Sequence, residues 1–215
     1  MPFTRRRFAL ALACLALSGP LAQAASAPNS KALWLAAQLD SMGVEGKWIA
    51  GAHVNWRTGM PDDVTETLPG RHTHCSAFVA AAAMKVGVHI LRPPEHGQVL
   101  LANAQNEWLG GDVAASEGWT ALAGPAEAQQ AANVGALVVA SYHNHHDDKP
   151  GHIAIVRPGV KTAAQIAADG PDVIQAGTVN ANSIAIRLGF AGHVHAWGGN
   201  EIEYFAHDVA GPGGG

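Results

Sequence analysis

Two hydrophobic rhythms run along the 215 residues. Up to about residue 135 the apolar positions recur three and four apart, with glycine or proline separating the groups. Beyond it they come in short unbroken runs. The first rhythm marks one face of a helix, and the second marks a strand buried on both sides. Residues 30–42 are predicted as a helix, with Leu33, Ala36, Ala37 and Leu39 on its apolar face and Gly43 ending it. Residues 47–56 are apolar but irregular, and residues 60–70, with prolines and acids, read as a surface loop. A second helix opens at Cys75 and reaches Val86, with Thr73 as N-cap and Gly87 as the residue that turns the chain away. Its small residues Ala77, Ala80, Ala81 and Ala83 fit it to lie close on a sheet.

Pro93 and Pro94 are expected to open a third helix that runs to about Leu109, followed by a loop over residues 110–124. Residues 126–133 form a short helix that stops near Gly135. The rhythm then changes. Residues 136–142 read as a buried strand, 143–150 as a polar hairpin loop, and 152–156 as the returning strand. A short helix at 162–168, a strand at 172–176 and a last strand at 202–206 complete the pattern. Helices first and an antiparallel sheet second give an α+β order in one domain, residues 25–207, with residues 208–215 a flexible tail.

The first 24 residues stand apart from this pattern. Thr4, Arg5, Arg6, Arg7 and Phe8 lead an apolar stretch over residues 9–17, followed by Gly19-Pro20 and the small-x-small run Ala22-Gln23-Ala24. A basic head, a short apolar middle and a small-residue cleavage point make a signal peptide, and the apolar part is too short to span a bilayer. Two arginines after Thr4 also fit the twin-arginine export pattern. The expected location is periplasmic or secreted. Ala11-Leu12-Ala13 ahead of Cys14 lacks the aliphatic residue of a lipobox, so a lipoprotein is not expected. The chain holds 13 basic and 17 acidic residues, and the leader takes three of the arginines and no acid. An acidic mature protein argues against nucleic-acid binding. No stable membrane insertion is expected once the leader is gone.

Beyond the leader Cys75 is the one cysteine left. A lone thiol closes no internal disulfide, so it is either a small buried hydrophobe or a reactive group. Its place at a helix start favours reactivity, because unpaired N–H groups and the positive end of the macrodipole stabilise a thiolate. His152 stands at the mouth of its strand, on the face of Ala154 and Val156 and opposite Ile153 and Ile155. A thiol and a base far apart in sequence, one on a helix and one on a strand, suggest a cysteine hydrolase. A third group should orient the histidine. Gln175, the lone polar residue inside an apolar strand, is the first candidate, and Asn180 just past it is the second. The Cys75 N–H is one candidate oxyanion donor, and Asn55 offers a side-chain donor.

These residues carry a resemblance. Cys75-Ser76-Ala77-Phe78-Val79 resembles the cysteine helix of NlpC-like and CHAP (cysteine, histidine-dependent amidohydrolase/peptidase) enzymes. Gly135 to Val139 with Gly151 to Val156 is similar to their paired strands, and Gln175 falls where their third polar residue stands. The likeness covers residues 71–182 through short motifs. It implies a papain-like fold with the cysteine helix packed on a small antiparallel sheet, and no metal or other cofactor. It implies peptidoglycan as partner, with cleavage of amide bonds in its stem peptides or cross-links. Three departures stand out: His74 in place of a frequent acid, Ala136 in place of a common Asp, and an amide as third group. A cationic His74 would support a thiolate.

His143, His145, His146, Asp147 and Asp148 crowd the hairpin loop with groups that suit zinc or copper. Polar residues are expected in such a loop without a ligand, and no metal is assigned. Pairs at His72 and His74 and at His193 and His195 are the other histidine clusters. The alternative reading is an exported binding protein without catalysis, holding a metal through residues 143–148, with Cys75 a buried filler.

Overall fold

The computed structural model describes residues 26–64 and 72–212. The expected leader, residues 65–71 of the acidic loop, and the end of the glycine tail lie outside the described residues. In chain order the first half holds α1 (Ser30–Asp40), α2 (Cys75–Lys85), α3 (Leu101–Leu109), α4 (Asp112–Ser116), β1 (Thr120–Leu122) and α5 (Pro125–Asn133). The second half holds β2 (Leu137–Tyr142), β3 (His152–Val156), α6 (Ala163–Asp169), β4 (Asp172–Gln175) and β5 (Ala181–Ala185). It ends with α7 (Ile186–Gly189), α8 (Val194–Gly198) and β6 (Glu203–His207).

The protein is a mixed α+β structure built on one six-stranded antiparallel sheet, in the order β1-β6-β2-β3-β4-β5. Every residue of β2 and β3 is buried, which explains their unbroken apolar runs: helices cover both faces. On one face Leu35, Leu39 and Phe78 pack with Val139, Ile153, Ile155 and Ile174. On the other, Ala128, Ala132, Phe190 and Ala196 pack with Val138, Ala154, Val156 and Val173. Alternation along each strand therefore feeds two cores instead of one core and solvent. All positions of α2 from Cys75 to Ala83 are buried, and its small side chains let it lie against β3 as its composition suggested. Phe78 meets Trp48 edge-on with centroids 5.3 Å apart. Burying a side chain of this size contributes about 2 kcal/mol or more.

Several expectations are corrected. The buried face of α1 is Ala32, Leu35 and Leu39, while Leu33 is 60% exposed. The phase is set by Asn29, which caps the helix through Ala32 N and docks it on α5: its N–H bonds Asn133 O and its side chain bonds Val134 O. The residue capping α2 is His74, not Thr73, and it uses no side-chain bond to do so. The third helix begins at Leu101, not at Pro94. Gln98 ties the preceding turns back to His53 and Val54 O, and Leu100 takes a left-handed backbone, φ 54°, before the helix can start. The span 110–124 is not all loop, since α4 and β1 lie in it, and β5, α7 and α8 fill a stretch in which the sequence pattern predicted no element. The short helix α6 matches its expectation, with a complete capping box between Thr162 and Gln165.

Candidate functional site

The cysteine helix starts where β3 begins. The β3–β4 register runs from Ile155 opposite Ile174 to Val156 opposite Val173. Nearer the strand mouth, the N–H of Ile153 serves the Cys75 sulfur instead, together with the N–H groups of Ser76 and Cys75 itself. Three donors around one sulfur favour its ionised form. Burial opposes them and wins: Cys75 is 3% exposed inside the larger core, and desolvation pushes its thiol up. The expectation of a resting thiolate is thereby corrected. The helix terminus is as foreseen, but the oily surroundings keep the proton on sulfur.

His152 is buried at the other side of the same peptide. Its Nε2 lies 3.0 Å from Gln175 Oε1, and Gln175 Nε2 donates to Val179 O at 3.0 Å. The second bond fixes which end of the amide faces the ring. An amide oxygen only accepts, so Nε2 carries the proton and donates, and in the neutral ring Nδ1 is the basic nitrogen. Burial pulls the imidazole down and the Gln175 bond raises it, burial being the larger effect. The ring plane is held by Phe190, edge-on with centroids 4.5 Å apart, and by His193, nearly parallel at 5.7 Å and 18°.

Backbone close approaches make this placement possible. A side chain on Gly151 would put its Cβ 2.1 Å from Tyr142 O and 2.5 Å from Asn103 Oδ1. Asn103 Oδ1 accepts from Gly151 N at 2.7 Å and from Asn144 N at 3.2 Å, which ties both ends of the hairpin loop to α3. Gly189 leaves room for Gln175, since a Cβ there would stand 2.6 Å from Gln175 Oε1.

The structure brings His152 and Gln175 together, while Cys75 packs in the core on the face of Ile153 and Ile155, opposite the face on which the His152 ring meets Phe190. Among the described residues no hydrogen bond joins the sulfur to the His152 ring; their link is the Ile153 N–H, the next peptide after His152. Asn180 does not touch the histidine. Its Nδ2 donates to Val44 O and Lys47 O at 2.9 and 2.7 Å and its Oδ1 accepts from Gly177 N at 2.9 Å, so it pins the turn after β4 to the Trp48 segment. Asn55 lies on an exposed turn, where its Oδ1 accepts from Arg57 N and Thr58 N. His74 is buried and its Nε2 donates to Ala52 O at 2.8 Å.

Two of the three loop histidines are paired with acids: His143 with Glu107 at 3.0 Å and His145 with Glu201 at 2.6 Å. Among the described residues no group of three or more His, Cys, Asp or Glu could hold a metal ion, so the metal-loop alternative finds no site there. Sequence reasoning missed Asn103, Phe190 and His193 as parts of the site. Asn103 had a signal, a polar residue among the apolar positions of a helix. His193 had only its neighbour His195, and Phe190 had none. No protein-family model matches the chain, and no curated protein matches it.

Proposed function

We propose that this protein is an exported cysteine hydrolase of papain-like build, with Cys75 as nucleophile, His152 as general base and Gln175 as the group that orients the base. The observation that carries the reading is the His152 Nε2–H to Gln175 Oε1 bond. It commits Nε2 to donation and leaves the Nδ1 lone pair as the base. Because burial favours the neutral forms of both partners, the resting pair is thiol and imidazole. The proton then moves from sulfur to Nδ1 as sulfur adds to the scissile carbonyl. The imidazolium formed is stabilised through Gln175, and the Cys75 N–H at the helix start turns from the sulfur to the developing oxyanion as the sulfur adds. Collapse of the tetrahedral adduct expels the amine, which takes the proton from His152. Water, deprotonated by the same base, releases the acyl group.

The substrate class, amide bonds in peptidoglycan stem peptides or cross-links, rests on the resemblance of residues 75–79 and 151–156 and on the leader, which would place the enzyme in the periplasm or outside the cell. The test is digestion of purified peptidoglycan with analysis of the released peptides. Cys75→Ala and His152→Ala are expected to keep the native circular dichroism and lose cleavage. Cleavage by the folded Cys75→Ala protein overturns the reading. One observation favours a second reading: Cys75 is a member of the core. An exported binding protein with Cys75 as filler would label with iodoacetamide only after unfolding.

A further inference from the structure

His193 lies outside the site drawn from the sequence, yet it shares a ring-to-ring contact with His152. Its centroid is 5.7 Å from that of His152 with planes at 18°, and 5.3 Å from that of Tyr142. It precedes α8 and is only partly exposed. His152 is therefore gripped on three sides: Gln175 at Nε2, Phe190 edge-on, and His193 over a face.

We propose that His193 is a positioning residue for His152: its neutral ring keeps the imidazole plane on Gln175 and leaves His152, not itself, to take the proton of the thiol. The inference rests on the reading of His152 as the base. Two stacked imidazoles do not both charge near neutrality, because like charges at this separation repel. The one with an acceptor on its N–H charges first, and that one is His152. Burial, reinforced by the charge of His152, holds His193 down to about 4. The groups facing His193 are His152 from β3 and Tyr142 from β2. Behind Tyr142 stands His145, paired with Glu201 and stacked on His195 of α8 at 4.8 Å. Glu201 acts on Tyr142, whose hydroxyl burial and this carboxylate both raise.

The experiment is a pH titration of the full chain by NMR with isotope-labelled histidine, in the parent, His193→Phe and His193→Lys. The phenylalanine keeps a ring against His152 and cannot charge, so the His152 midpoint stays close to that of the parent. The lysine brings a cation to the same place, and the His152 midpoint falls by about one unit. Equal midpoints in the two variants make His193 a packing residue only and overturn the proposal, as does a parent in which His193 charges before His152. Should the lysine variant not fold, exchange of the His152 Nε2–H serves: it is expected to be about tenfold faster in His193→Ala, and unchanged exchange overturns the proposal. The hydrolase reading fails separately. Iodoacetamide modification of Cys75 that stays flat through the His152 titration sinks that reading while the NMR result stands.

Discussion

His152 Nε2 donates to Gln175 Oε1 at 3.0 Å, and the far end of the same amide is fastened to Val179 O at 3.0 Å. Turning the amide over would break both bonds, so the two contacts together set the tautomer of the histidine. Gln175→Ala leaves a buried N–H without an acceptor, at a cost of about 1–3 kcal/mol. For a chain of this size the melting temperature is expected to fall by about 2–10 °C. Released from its orienter, His152 is also expected to slow iodoacetamide modification of Cys75 about tenfold or more. Gln175→Glu, which keeps the acceptor, should recover most of that rate. Thermal melts and alkylation kinetics on the three proteins check this directly.

Asn180 provides the contrast. It ties the turn after β4 to Val44 and Lys47 and makes no bond to the histidine. Asn180→Ala is expected to lose about 1–3 kcal/mol of stability in urea unfolding, because it orphans the carbonyls it serves and the Gly177 N–H. Below the unfolding transition its Cys75 alkylation rate should equal that of the parent. A slowed rate in the folded variant would transfer the orienting role from Gln175 to Asn180.

The parts of this design that were legible in the sequence are those that a local pattern records. The unbroken run of β2 and the run of β3 after His152 announce burial on both faces, and Gln175 is conspicuous because its neighbours Ile174 and Ala176 are apolar. Thr162 and Gln165 spell out their own capping box. The illegible parts depend on tertiary contacts. The face of α1 follows from where Asn29 docks, and an Ala- and Leu-rich helix offers more than one apolar stripe to choose from. The edge strand β5 is only partly covered and carries Asn182 and Ser183, so no apolar run marks it. The ionisation of Cys75 was misjudged because a helix start is visible in sequence, whereas the core that closes over the sulfur is assembled from α1, α2 and the sheet. His193 meets His152 only because α7 and its following turn fold back over β4.

The hairpin loop ahead of His152 has its own dependency. Asn103 holds Gly151 N at 2.7 Å, Asn144 N at 3.2 Å and, through Nδ2, Lys149 O at 3.0 Å. Asn103→Leu keeps the volume and loses all three bonds, which is expected to cost about 2–4 kcal/mol. Amide exchange at Asn144 and Gly151 should quicken relative to the centre of β2, as measured by hydrogen–deuterium exchange. Gly151→Ala is expected to be worse, since the added methyl meets the Tyr142 carbonyl at 2.1 Å, within the backbone of the paired strand. Unchanged exchange in Asn103→Leu would show that β2 and β3 alone set the entry of the histidine strand.

The dependence of stability on pH distinguishes a resting thiol from a resting thiolate. His152 and His193 are both pushed below their ordinary value of 6.5, chiefly by burial. Below pH 6.5 the unfolded chain therefore binds protons that the folded chain refuses, and stability falls with pH, for His193 until about 4. His193→Phe should remove about 2 kcal/mol of that loss, allowing for partial exposure of the ring. Cys75 is raised above its ordinary 9.0, so past that pH the unfolded chain gives up a proton that the folded chain keeps. Stability then falls as pH rises, and Cys75→Ala should flatten this alkaline limb. A thiolate held in the resting fold requires the opposite sign: the folded chain would lose its proton first, and stability would climb as pH approached 9.0 from below. Urea midpoints for the parent and Cys75→Ala across the alkaline range decide between the two. A parent that gains stability there while the alanine variant does not would return the sulfur to the ionised state and remove the need for proton transfer during attack.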